Sequence, residues 1–115
     1  MIEQLFAAID TKDTRAFAEH LSDECTFRFG NQAAVVGKAG VEKYVAAFFD
    51  SIQELEHRID DVWRDGDAIV CHGMVTYTRR NGSELSVPFA NVFRMADRKI
   101  REYLIFADTS ALYTE

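Results

Sequence analysis

Asn91, His57 and Asp108 are the residues of this sequence whose types and positions could do chemistry. Asn91 recurs at every second position with Leu85, Val87, Phe89 and Phe93, the period of a strand with one buried face. A buried amide without a hydrogen-bond partner costs about 1–3 kcal/mol. Two outcomes satisfy it: neighbouring backbone, or a bound carbonyl oxygen to which its NH₂ donates, as in an oxyanion hole. His57 alternates with Leu55 and Ile59. An imidazole titrates near neutral pH and serves well as a general base; a hydrogen-bonded structural histidine is the competing reading. Asp108 ends the last apolar alternation, just before Thr109 and Ser110. There it reads either as the cap of a turn or as an acid delivered by a strand end. His20 and His72 read as structural or exposed, and Cys71 has no neighbour in sequence that would lower its pKa. The three histidines show no HxH, HxxxH or HExxH spacing, so neither a metal nor another cofactor is expected.

The elements that must position these groups follow from hydrophobic period. Ile2, Leu5, Phe6 and Ile9 have helical spacing, broken at Thr11-Lys12-Asp13. Asp13 is an N-cap candidate for a second short helix carrying Phe17 and Leu21 inward. Cys25, Phe27 and Phe29 form one face of a strand. After a turn at Gly30-Asn31-Gln32 and a short apolar piece, Val41, Tyr44, Val45, Phe48 and Ile52 make an amphipathic helical stripe. From Leu55 onward the period is two. A first long strand places Leu55, His57, Ile59 and Trp63 on one side, and a second runs from Ala68 to Thr78. Asn81-Gly82 is a strong hairpin signal, with Arg79-Arg80 as a solvated tip. Pro88 marks an edge position or a bulge in the third strand. In the last strand, Ile100 to Asp108, both faces are mixed and the inward one is left open.

The implied fold is a single α+β domain over residues 1–115: three helices covering the concave side of a curved antiparallel sheet. Val70, Met74, Val92 and Ile105 fall on its outer face, which makes a dimer packed sheet against sheet the expected partner arrangement. A net charge of −6 repels phosphate backbones and anionic lipid, so neither nucleic acid nor membrane is an expected partner. The acidic N-terminus, without a basic segment before an apolar run, and the two unpatterned cysteines point to the cytoplasm.

Three segments in order, AAIDTKDTRAFAEHLSDECTF, GKAGVEKYVAAFF and VFRMADRKIREYLIFAD, resemble the nuclear transport factor 2-like superfamily. Within it they resemble the SnoaL-like polyketide cyclases and the ketosteroid isomerases. The resemblance implies a cone-shaped barrel with a deep pocket between helices and sheet, and usually a dimer. Phe27, Phe29, Tyr44, Phe48, Trp63 and Phe89 would line that pocket. Ketosteroid isomerases use a first-helix tyrosine, a first-strand aspartate base and a protonated aspartate on a late strand. Here those positions hold Leu5, Phe29 and Asn91, so that route is not implied. SnoaL-like cyclases depend on an acid–base aspartate, which makes Asp108 a candidate for abstracting a proton next to a carbonyl, with Glu102 a weaker one. The expectation is a pocket for a small, apolar, oxygenated molecule, with His57 or Asp108 as base and Asn91 facing the enolate oxygen. A noncatalytic ligand binder and a dimeric interaction module are the alternatives, because this fold hosts all three.

Overall fold

Each change of hydrophobic period becomes a change of element. The computed structural model describes residues 1–113. Helices α1 (Ile2–Asp10) and α2 (Thr14–Ala18) precede strands β1 (Leu21–Phe29) and β2 (Val35–Val36). Helix α3 (Lys38–Asp50) leads into β3 (Glu54–Asp65), β4 (Ala68–Thr78), β5 (Glu84–Ala96) and β6 (Lys99–Ala107). Asp13 caps α2 as its type demands, its carboxylate accepting the Ala16 N–H at 3.0 Å. The apolar stripe of α1 is buried at Ile2, Leu5, Phe6 and Ile9. That of α3 is buried at Val41, Val45 and Phe49. The core lies between these helices and the concave side of the sheet, and Phe17, Phe27, Phe93 and Tyr103 are its largest enclosed side chains.

The six strands run in the order β2-β1-β6-β5-β4-β3. The sheet is mixed, which corrects the all-antiparallel expectation: β1 and β6 pair in parallel. The rest of the sheet and α3 lie between them in sequence, so no hairpin dictates their relative direction. Pro88 lies in an interior strand, but β6 pairs with β5 only from Phe89 onward. The proline therefore sits where that side of β5 has no partner. Arg79 is not a solvated tip. Its guanidinium donates to the carbonyls of Ala111 (3.0 Å) and Leu112 (3.1 Å) and to Ser83 Oγ (3.0 Å), tying down the segment after β6.

Two bulges decide which residues face inward. In β3 the pairing passes from Ile59↔Gly73 to Asp61↔His72, leaving Asp60 as an extra residue. Up to Ile59 the inward set is Leu55, His57 and Ile59; beyond the bulge the parity reverses. Gly73 permits the close approach, since a Cβ there would lie 1.8 Å from the Arg58 carbonyl oxygen. In β6 the pairing steps from Met95↔Ile100 to Arg94↔Glu102, so Arg101 is the extra residue. Ile100 and Tyr103 are thereby both buried although three apart. Among the described residues, no helix is long and apolar enough to cross a membrane.

Candidate functional site

The concave face holds a narrow aromatic cavity, with about 40 Å³ open to the centre of a water-sized sphere. Phe27 and Phe29 from β1, Tyr44 and Phe48 from α3, and Phe89 from β5 line it as the sequence implies. His57 on β3 and Asn91 on β5 line it too, with β4 between their strands.

Asn91 is 2% exposed, and its Oδ1 has no hydrogen-bond partner among the described residues. Of the two outcomes open in the sequence, satisfaction of that oxygen by neighbouring backbone is therefore not realised. An amide held this way retains an unmet demand that a ligand can supply. Tyr77 and Tyr103, from β4 and β6, add phenols to the same lining. Burial pushes both phenol pKa values up, so they remain neutral hydroxyls able to donate or accept.

His57 is anchored by a partner that the periodicity did not reveal. Asp10, the last residue of α1, receives two hydrogen bonds from it. The Nδ1 pairs with Asp10 Oδ1 at 2.6 Å, and the backbone N–H donates to Oδ2 at 2.9 Å. The ring lies against Phe6 and Phe89, at centroid distances of 4.8 and 5.1 Å. An acid in the last turn of a helix opposes the helix dipole, and this mismatch was the one sequence signal for Asp10. Lys12 holds the same helix end to the start of β3. It has a positive φ of 57° and donates from Nζ to the carbonyls of Ile52 (2.9 Å) and Gln53 (3.0 Å).

Trp63 and Asp108 stand elsewhere. Trp63 is 55% exposed on the convex face, stacked on His72, because the Asp60 bulge reversed its parity. Asp108 shares the parity of Leu104 and Phe106, while Tyr103, Ile105 and Ala107 turn inward. It is exposed, and its carboxylate accepts the Ser110 N–H at 3.0 Å, which holds its pKa below the ordinary carboxyl value. This is the turn-capping geometry. Ile105 correspondingly lines the cavity and not the outer face. Glu102 points outward and pairs with Arg94 at 3.4 Å. Burial pushes the Cys25 and Cys71 thiols up to about 11, so neither is an activated nucleophile. His20 lies beside the strand start, its carbonyl accepting the Ile100 N–H.

Residues 2–103 match the model of a family described as the SnoaL-like domain. The chain belongs to that family. Solved structures share the SnoaL-like architecture at low identity. A provisionally assigned SnoaL-like polyketide cyclase from Jannaschia sp. CCS1 is 22% identical, with a TM-score of 0.84 over 98% of this chain and 86% of that one. An NTF2-like protein of unknown function from Burkholderia pseudomallei is 18% identical, with a TM-score of 0.90 over 99% and 95% of the two chains. TerC, co-crystallised with polyporic acid, is 18% identical, with a TM-score of 0.83 over 96% and 90%. A search of curated proteins finds no match. At these identities the likeness to solved structures carries the SnoaL-like fold alone.

Proposed function

We propose that the cavity binds a small, mostly apolar carbonyl compound and moves a proton next to the carbonyl without a cofactor. The observation that carries this reading is the buried Asn91 amide in an aromatic cavity that it shares with His57: its unpartnered oxygen calls for a donor such as a substrate hydroxyl, and its NH₂ is the group available to a carbonyl oxygen. In this scheme the imidazole takes a proton from the carbon next to the carbonyl. The C–H electrons form the enolate double bond, and the Asn91 NH₂ donates to the oxygen where charge collects. Return of the proton to another carbon gives an isomerisation. Loss of a β-hydroxyl as water gives a dehydration, and attack of the enolate on a second carbonyl gives an aldol-type cyclisation. The aromatic walls suit a flat substrate, and the co-crystallisation of TerC with polyporic acid supports a small-molecule role for this fold. Free buried thiols at Cys25 and Cys71 fit a reducing compartment such as the cytoplasm.

The test is turnover of a panel of flat ketones by the protein and by Asn91→Leu, which keeps the shape and removes the amide. Loss of about 10²–10³ in rate is expected when an oxyanion donor is removed. Unchanged turnover takes Asn91 out of the mechanism. Ligand-dependent thermal stabilisation with no product formed would leave a noncatalytic binder.

The convex face supports a second element of the reading, a homodimer. Trp63, Val70, Val92 and Leu104 lie side by side across four strands, and Phe106 nearby is 57% exposed. An apolar band of this kind is self-complementary under a two-fold axis. Sedimentation should show a dimer that Phe106→Asp dissociates; a monomeric parent protein removes this element.

A further inference from the structure

Resting on the proton-transfer reading, we infer that Asp10 is a positioning residue that fixes the tautomer of His57, so that Nε2 is the proton acceptor facing the cavity. The two hydrogen bonds decide this together. The backbone N–H of His57 can only donate, and it occupies Asp10 Oδ2 at 2.9 Å. The remaining oxygen, Oδ1, faces Nδ1 at 2.6 Å. A carboxylate offers only acceptors, so the neutral ring carries its proton on Nδ1 and leaves Nε2 bare. Nε2 lies on the far side of the ring from Asp10, has no hydrogen-bond partner among the described residues, and belongs to a side chain that lines the cavity. Phe6 and Phe89 flank the ring and restrict its rotation. Both oxygens of Asp10 are engaged by the same residue, so a shift of the α1 terminus would move the base with it.

The arrangement makes a sharp prediction for Asp10→Asn, which changes one acceptor into a donor at nearly constant shape. The fixed backbone N–H of His57 claims the amide oxygen. The amide NH₂ is then left facing Nδ1, which must become the acceptor, and the ring proton moves to Nε2. The substitution should leave the fold in place and invert the tautomer, as an aspartate-to-asparagine change does in a serine-protease triad.

The test is ¹⁵N NMR of the imidazole nitrogens at about pH 8, above the usual histidine range, with His20→Gln and His72→Gln used to assign the His57 signals. The expected result is protonated Nδ1 and bare Nε2 in the parent protein, exchanged in Asp10→Asn. A parent protein with its proton on Nε2 overturns the inference whether or not the variant folds, and so does a folded variant with an unchanged tautomer. Proton–deuterium exchange next to the carbonyl of 2-tetralone, a flat enolisable ketone, separates this inference from the functional reading. If the parent protein catalyses that exchange, Asp10→Asn should slow it by about 10²–10⁴-fold. An undiminished rate with an inverted tautomer shows that Nε2 is not the acceptor and overturns the inference. An inverted tautomer with no catalysed exchange in either protein supports the positioning role of Asp10 and counts against the proton-transfer reading alone.

Discussion

Two histidines of this molecule each pair with an aspartate, on opposite faces of one sheet. His57 and Asp10 meet at the concave side, with side chains 10% and 25% exposed, 47 positions apart in the chain. His72 and Asp61 meet on neighbouring strands of the convex side at 2.8 Å, 43% and 57% exposed, with Trp63 stacked over the imidazole. The residue types and the distances are nearly the same. What differs is water. An exposed pair is screened and holds two side chains that solvent would serve almost as well. The inner imidazole, packed against Phe6 and Phe89, has Asp10 as its one side-chain hydrogen-bond partner among the described residues, so that contact fixes where its proton resides.

The two pairs are kept apart by the bulge at Asp60, and the largest expected effect is to attack it. Gly73→Ala would set a methyl 1.8 Å from the Arg58 carbonyl oxygen, and β3 would have to move. A loss of about 3 kcal/mol is expected, read as a fall in Tm of roughly 10–15 °C. An unchanged Tm would mean that the strands separate there freely and that the bulge is not held by glycine. Asn91→Leu tests the inner face more gently. Replacing an amide whose oxygen is unpartnered by an apolar group should raise stability by about 1 kcal/mol while removing the response to ligand. Destabilisation in urea would show that the amide already has a protein partner. The smallest effect belongs to the outer pair. Asp61→Asn should change stability by less than about 0.5 kcal/mol and leave 2-tetralone exchange within twofold. A loss as large as that of Asp10→Asn would erase the distinction between the faces.

Much of this architecture was legible because it depends on local period. The α3 stripe from Val41 to Phe48, the Asp13 cap and the inward parity of Asn91 each follow from spacing within one element. Trp63 was misplaced, and Asp108 was left between two readings, for related reasons. An extra residue at Asp60 flips every following side chain of β3, and a bulge at Arg101 hides which face of β6 is apolar. Neither bulge leaves a mark in the alternation of a single strand, since each is defined by the partner strand it slips against.

The sequence by itself determined the elements, their order, the aromatic character of the concave face and the presence there of one buried amide and one imidazole. Hydrophobic burial acts on each residue through its immediate neighbours, so these features are encoded locally. Only the tertiary structure decided that Asp10 meets His57, that Asp108 caps a turn outside the cavity, and that β1 lies parallel to β6. These depend on contacts between segments far apart in the chain, where direction and register are set by how the helices close over the sheet.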